Sequence, residues 1–275
     1  MKCLVCFFII LFFYAKCSCE TKNSYTSAYV QKQISTIPDE ERTLLEHFFQ
    51  KLVKTEGLGY VLFGTKPVCL TGYFLKMPLG NQLSRTDCFL IKKGWMVWKK
   101  YEHLFPHPNF IIFEENKLRD DPNLHPIFFI SKKNCLDVVA KNKTFFEKKL
   151  KTTFGTEEFL KQIEVKQSLY DLINFHEGLL GILLGYGFES SMQYCYRDMV
   201  WNSKVPVPYK EIVLHCISND SFSEHFSVYP MQFVGNPESQ EVKTIVDQNL
   251  KERALIHSLY SEGNFLEITL KKLME

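Results

Sequence analysis

The chain alternates between segments with the apolar spacing of amphipathic helices and short runs of aliphatic and aromatic residues typical of strands. The clearest helix begins at 38–41, where a proline and three acids form the first turn, and its apolar residues recur at helical spacing until Gly57. Two apolar runs, 110–113 and 127–130, are joined by a polar loop and predict an antiparallel pair of strands. Helices interleaved with four or five short strands predict an α+β or mixed α/β fold.

The same patterns predict the other elements of the chain. Helices are expected over 86–104, 136–150, 157–176, from there through 197, and over 239–261, and extended runs over 68–75, 212–217 and 226–234. Residues 20–37 are polar and rich in Ser, Thr, Lys and Gln, which predicts a flexible lead. No repeat or linker divides the rest, so we expect a single α+β domain over 38–275.

The first 19 residues have the layout of a secretory signal peptide. Lys2 precedes an apolar run over 3–15, and a short polar segment follows it. The run is shorter than the roughly 20 apolar residues that a permanent membrane helix needs. We therefore expect export to the periplasm, the outer membrane or the exterior, with the signal peptide cleaved near residues 15–19.

Two cysteines in this segment leave open whether the exported chain carries a lipid. Cleavage after Ala15 or Ser18 releases a soluble chain, whereas a lipoprotein peptidase can leave Cys17 or Cys19 as a lipidated N-terminus. Lys16 disfavours lipidation, because it stands directly before Cys17 and in the aliphatic position of a Cys19 site. Lipidation at Cys17 or Cys19, with membrane attachment through that lipid, is the second hypothesis after a plain signal, and an uncleaved anchor is the third.

The mature part of the chain is close to neutral. The sequence has 33 Lys and Arg residues against 31 Asp and Glu residues, and Lys2 and Lys16 account for the difference. Nucleic-acid binding and polybasic membrane attachment both need a net positive field. The charge therefore argues against both.

The cysteines beyond the signal are too few and too scattered for a disulfide framework. They are odd in number, and no two of them form a C-x-x-C pair that would indicate a zinc or thioredoxin-type site. We expect most of them to be buried small hydrophobes, with one or two bridges left open. These cysteines are Cys69, Cys88, Cys135, Cys195 and Cys216.

The segment 59–66 superficially resembles a phosphate-binding loop. In that loop a Gly-Lys pair is followed directly by Ser or Thr, so that the lysine meets the phosphates and the hydroxyl meets magnesium. Here Thr65 separates Gly64 from Lys66, and Pro67 stands in the hydroxyl position. We therefore interpret the segment as a helix end and a tight turn.

Two histidine patterns resemble parts of metal-binding motifs but lack the residues or the helix that such motifs require. The pair His176-Glu177 would need a second histidine four residues after the first, but position 180 is leucine. His103 and His107 have the four-residue spacing, but neighbouring prolines break the helix that would present them together. We predict no metal or cofactor site.

Three glycines recur three and four residues apart within the apolar segment 178–188. A stripe of Gly178, Gly181 and Gly185 on one helix face lets another backbone approach closely. Close helix packing inside the core is the first interpretation. A cavity lined by this glycine face, or a ligand against it, is the alternative.

The sequence contains no convincing catalytic cluster. There is no G-x-S-x-G elbow, and a hydrolase site would have to be assembled from Cys195 or Cys216 with His176 or His215. Two acidic pairs, 114–115 and 120–121, flank the predicted hairpin loop, where acids are ordinary solvent-facing residues, and they lack the spacing of a calcium loop.

Three segments carry a resemblance to known proteins. They are GLGYVLFGTKPV at 57–68, HEGLLGILLGYG at 176–187 and MQFVGNPESQE at 231–241. In this order they resemble a group of uncharacterised exported proteins of chlamydia-related intracellular bacteria, over about residues 40–256. The resemblance implies a Gram-negative envelope setting, and no activity or catalytic residue follows from it.

These observations favour an exported protein with a non-catalytic binding or interaction role in the cell envelope or at the host interface. An envelope hydrolase with a Cys/His site is one alternative. A carrier of a small molecule or lipid is another, and it predicts an apolar cavity of several hundred Å³ beside the glycine helix. The sequence leaves the partner and the oligomeric state open.

Overall fold

The computed structural model describes residues 28–76, 85–115, 121–196, 210–213 and 228–275. The helices are α1 (28–35), α2 (Asp39–Lys51), α3 (Leu58–Phe63), α4 (Arg85–Tyr101), α5 (Lys132–Lys141), α6 (Lys143–Leu150), α7 (Thr156–Lys166), α8 (Leu169–Leu172), α9 (Glu177–Leu183), α10 (Phe188–Cys195), α11 (Gln240–Tyr260) and α12 (Phe265–Met274). The strands are β1 (Val68–Phe74), β2 (Phe110–Glu114), β3 (Leu124–Ser131), β4 (Lys210–Val213) and β5 (Gln232–Gly235). A π-helical turn, Leu52–Glu56, continues α2, and a 3-10 turn, Glu102–Leu104, continues α4. The predicted α+β class is confirmed.

The larger sheet has the order β1–β3–β2 and is antiparallel throughout. Val68 of β1 lies opposite Ile130 of β3, and Ile112 of β2 lies opposite Phe129. The antiparallel pair predicted from the runs 110–113 and 127–130 is therefore confirmed. β4 and β5 form a separate antiparallel pair, with Ile212 opposite Phe233.

Helices cover both faces of the larger sheet. One face, which carries Cys69, Ile112 and Phe129, packs in a core with α1 to α4, α11 and α12. The other face, which carries Phe113 and Phe128, packs in a core with α5 to α9. Because both faces are buried, the strands are continuous apolar runs without the alternation that a solvent-exposed face produces.

The flexible lead expected over 20–37 is wrong for its second half. Residues 28–35 form α1, and Val30 and Ile37 are fully or almost fully buried. Ile34 packs against the same core, so apolar residues at positions i, i+4 and i+7 hold this polar segment to the domain. Residues 20–27 and the predicted signal peptide lie outside the described residues.

The helix predicted over 157–176 is interrupted. α7 ends where Gln167 adopts a left-handed φ of 48°, and the one-turn helix α8 follows. Asn174 and Phe175 also have positive φ, at 51° and 54°. The helix predicted over 136–150 likewise consists of two helices, α5 and α6, which meet at Asn142.

The extended runs predicted in the C-terminal third are described only in part. The strand expected over 212–217 is represented by β4, and positions 214–217 lie outside the described residues. Of the run expected over 226–234, the described part begins at residue 228, and within it a strand, β5, begins at Gln232. The helix predicted over 239–261 is confirmed as α11, and its N-cap Ser239 accepts a hydrogen bond from the amide of Val242 at 3.5 Å.

Candidate ligand cavity

The glycine helix α9 begins at His176, which caps it. The ring nitrogen Nδ1 of His176 accepts a hydrogen bond from the amide of Leu179 at 3.2 Å. Burial lowers the pKa of His176, and the nearby charge of Lys149 lowers it further. The neutral ring is the form that can accept this bond. His176 therefore positions a helix end.

Two glycines of α9 bring α10 into close contact. A Cβ atom on Gly178 would lie 2.4 Å from Cε of Met192, and one on Gly181 would lie 2.7 Å from Oγ of Ser191. A side chain at position 178 would displace the end of the Met192 side chain, and one at position 181 would collide with Oγ and Cβ of Ser191. The predicted close packing is thus confirmed at Gly178 and Gly181, whereas Gly185 lies beyond the end of α9 with a left-handed φ of 84° and does not share its helix face.

The N-terminus of α10 is held by an acid of α11. The amides of Phe188 and Glu189 donate to the carboxylate of Glu241 at 3.0 and 2.7 Å, and Ser239 donates to Glu189. A carboxylate in this position satisfies free amides and stabilises the positive end of the helix. α10 is thereby fixed between α9 and α11.

A cavity of about 580 Å³ lies beside the glycine helix, where the sequence left a cavity open as the alternative. Gly181 itself forms part of its wall, together with residues of α8, α10 and β5. Two aromatic stacks line it, Tyr170 on Phe175 at 5.7 Å and Tyr186 on Phe233 at 5.6 Å between ring centroids. The wall is therefore mainly aromatic and aliphatic, with isolated polar groups, as ligand sites commonly are.

One of these polar groups is a buried hydroxyl. Ser190 lines the cavity, only 1% of it is exposed, and its Oγ has no hydrogen-bond partner within the described part of the chain. Leaving such a group unpaired costs about 1–3 kcal/mol. A hydrogen-bonding group in the cavity would recover that free energy.

A smaller cavity of about 290 Å³ adjoins the first. Tyr186 and Gln232 line both cavities, and the smaller one is otherwise bounded mainly by the turn after α2, by Lys66 and by residues 229–231. Polar groups, among them Thr55 and Glu56, make up a larger share of its wall than of the wall of the larger cavity, where Glu177 is the one acidic lining residue among those the structure describes. The two cavities, which share Tyr186 as a wall residue, thus differ in polarity.

Lys66 supplies a buried amine to the smaller cavity. The residue is 8% exposed, and its Nζ lies 5.6 Å from the ring centroid of Tyr186. Within the described residues, the amine makes no hydrogen bond or ion pair with a side chain or carbonyl. Burial lowers the pKa of Lys66, and the nearby groups of Cys69 and Glu56 oppose that shift.

The loop that carries Lys66 is fixed on both sides. The carboxylate of Glu252 accepts hydrogen bonds from the amide and the hydroxyl of Thr65, both at 2.8 Å. Nδ2 of Asn134 donates to the carbonyls of Gly64 at 2.9 Å and Lys66 at 3.3 Å. This is the segment that superficially resembles a phosphate loop. The sequence reasoning missed its lysine as a cavity residue, and only its place in an otherwise apolar stretch hints at burial.

The described structure does not bring together the residues named for the alternative hydrolase hypothesis. Cys195 is partly buried and free, and His176 is engaged with the Leu179 amide and the ring of Phe145. Cys216 and His215 lie outside the described residues, as do the lipidation candidates Cys17 and Cys19.

Two of the four described cysteines behave as the buried hydrophobes expected from the sequence. Cys69 and Cys135 are buried and unpaired, and burial raises the pKa of each thiol to about 12. Cys88 and Cys195 are also free, but they are only partly buried. The described cysteines therefore form no disulfide with one another.

Two of the acids predicted to face solvent beside the hairpin loop, Glu114 and Glu115, are instead hydrogen-bond acceptors that are partly and fully buried, respectively. Glu115 is 3% exposed, and Glu114 accepts hydrogen bonds from Tyr73 at 3.0 Å and from Trp95, and contacts Nδ1 of His125. Local sequence could not show this, because these partners lie on three other elements, β1, α4 and β3. Of the second acidic pair, position 120 lies outside the described residues. Over the described ranges, no group of three or more His, Cys, Asp or Glu residues is placed to hold a metal ion.

No helix in the described ranges combines the length and the apolar character needed to cross a membrane. In comparisons with known proteins, no family model, no curated protein and no solved structure matches the chain. The site is therefore interpreted from its own geometry.

Proposed function

We propose that this protein binds a small, largely apolar molecule in the 580 Å³ cavity beside α9. The observation that carries the proposal is the aromatic-lined cavity with the unpaired hydroxyl of Ser190 in its wall. Its volume lies within the range of about 300–1,000 Å³ that is usual for ligand pockets. A non-catalytic binding role of this kind agrees with the carrier hypothesis drawn from the sequence.

The physical basis for binding is burial of apolar surface plus one polar contact. Each Å² of apolar surface that a ligand removes from water contributes about 25 cal/mol, before the cost of immobilising the ligand. The aromatic stacks and Leu180 supply this surface, and Ser190 supplies a donor and an acceptor. A ligand with an apolar body and one polar group near Ser190 would bury this surface and form a hydrogen bond with the hydroxyl.

A cavity-filling substitution tests the proposal. We expect Leu180→Trp to weaken binding of an environment-sensitive apolar dye at least about tenfold, because the indole occupies space that the ligand needs. Dye fluorescence titration measures the affinity, and native mass spectrometry of the wild type reveals any co-purified ligand. Val234→Trp applies the same test to the part of the wall formed by β5.

The matched control is Leu255→Trp, which adds an indole on α11 at a residue that is 47% exposed and does not line the cavity. It should leave the dye affinity unchanged. Circular dichroism establishes that each variant is folded. Folded Leu180→Trp and Val234→Trp variants that bind the dye as tightly as the wild type would refute the proposed site.

We further propose that the protein acts after export, in the envelope setting implied by the resemblance to exported proteins of chlamydia-related bacteria. The support is the signal-peptide layout of residues 1–19. Intact-mass analysis of the protein from its native envelope should show loss of 15–19 residues. An added mass of acyl chains would assign a lipid to Cys17 or Cys19, and a mass that includes residues 1–15 would contradict cleavage.

A further inference from the structure

We infer that the ligand is an amphipathic monocarboxylate, with its apolar body in the larger cavity and its carboxylate paired with Lys66 in the smaller one. The inference rests on the proposed function, because it names the chemical class of the molecule bound at that site. Three features support it: the two cavities share wall residues, the Lys66 amine is buried without an ion pair, and the charge of the surrounding groups favours a singly charged anion.

The two cavities are placed so that one molecule can occupy both. Tyr186 and Gln232 belong to the walls of each, so the apolar space and the polar space meet at these two side chains. Tyr186 turns one face toward Phe233, with a ring-centroid distance of 5.6 Å. The Nζ atom of Lys66 lies 5.6 Å from the centroid of the same ring. A ligand that passes Tyr186 therefore has its apolar end against aromatic rings and its other end near an ammonium group.

The ammonium group has the charge of Glu56 nearby but forms no ion pair with it within the described residues. Glu56 also lines the smaller cavity, but its carboxylate is engaged with Lys51 at 3.6 Å and with the hydroxyl of Thr55 at 3.0 Å. The thiol of Cys69 is directed to the carbonyl of Glu56 at 3.3 Å. A buried charge without a partner is costly, and an anion that enters the cavity offsets that cost by pairing with it.

The surroundings favour a single negative charge. An ammonium is a compact point charge that recognises an anion without the fork geometry that arginine imposes. One lysine can neutralise one negative charge, and Glu56 on the same wall repels an anion that carries more. A carboxylate therefore suits the site better than a doubly charged phosphate.

Paired ligands of equal chain length test the inference on the full chain. Isothermal titration calorimetry should show that decanoate binds the wild type at least about tenfold more tightly than 1-decanol. In Lys66→Met this preference should disappear through loss of decanoate affinity, while the affinity for 1-decanol stays within about twofold. Lys161→Met removes an exposed lysine of α7 and should leave both affinities unchanged.

Folding of the variant is checked separately. Lys66→Met should melt at a higher temperature than the wild type without ligand, because it removes a buried charge that has no partner. If it does not fold, Lys66→Gln carries the same comparison with a neutral polar side chain.

The outcomes distinguish failure of the carboxylate inference from failure of the proposed binding function. Equal binding of decanoate and 1-decanol that Lys66→Met leaves unchanged would overturn the inference and keep the binding function. The same holds if neither ligand binds but the apolar dye does, with Leu180→Trp weakening it. If the apolar dye does not bind either, both the monocarboxylate inference and the proposed binding function are overturned.

Discussion

Replacing Trp98 with alanine should lower the free energy of unfolding by about 4 kcal/mol. Trp98 belongs to α4 and is fully buried in the core on one face of the sheet. Its ring meets Phe49 edge-on at 5.6 Å and lies roughly parallel to Phe105 at 6.3 Å, measured between ring centroids. Truncation removes these contacts and leaves a cavity among side chains from several elements, which can collapse only in part.

The matched control for this prediction is Trp98→Phe. Within the described residues, the indole Nε1 has no hydrogen-bond partner, so its loss removes no hydrogen bond, and we expect a cost of about 1 kcal/mol from the smaller ring. Urea unfolding followed by circular dichroism measures both variants. Equal destabilisation by phenylalanine and alanine would contradict the prediction that aromatic packing at this position stabilises the core.

Replacing Glu115 with alanine should lower the free energy of unfolding by about 3 kcal/mol. The carboxylate, at the end of β2, accepts hydrogen bonds from the Ser168 hydroxyl at 2.7 Å and from the amides of Leu169 and Tyr170 at 2.9 and 3.1 Å. Its removal leaves the amides of Leu169 and Tyr170 without this acceptor, whereas the Ser168 hydroxyl keeps Asp171 as a partner at 3.0 Å. Because Tyr170 also lines the larger cavity, the variant should bind the apolar dye more weakly as well.

Two further variants define this effect. Glu115→Gln keeps one carbonyl acceptor and loses the charge, so it should cost about half as much. Glu262→Ala removes an exposed acid and should change the unfolding free energy by less than about 0.5 kcal/mol. The same urea unfolding measurement applies. A Glu115→Ala variant as stable as Glu262→Ala would rule out the carboxylate as the link between β2 and α8.

Local sequence patterns were sufficient to predict those helices and strands whose own residues mark their start, length or apolar spacing. The helix that begins at Asp39 follows a proline and has acids in its first turn, and the central strands are apolar runs too short for helices. The glycine stripe of α9 also predicted close packing or a cavity, and the structure has both. In each case neighbouring residues determine the outcome, so spacing alone reveals it.

The break after α7 could not be predicted in this way. Apolar spacing over 157–176 continues through Gln167, so periodicity favours one helix. The chain turns there, and Glu115, 53 residues before Ser168, caps the new helix α8. A distant carboxylate that binds free amides can stabilise a second helix start, and such a partner is invisible in a local window.

The sequence by itself determined the α+β class, the main helices and strands, and a glycine face suited to close contact. Only the tertiary structure decided that Glu115 is buried, that Lys66 is an unpaired amine, and that Tyr186 separates two cavities of different chemistry. The physical reason is the separation along the sequence of the residues that interact. Periodicity and capping act between residues a few positions apart, whereas the cavity that Lys66, Tyr186 and Gln232 share exists only because three distant segments meet.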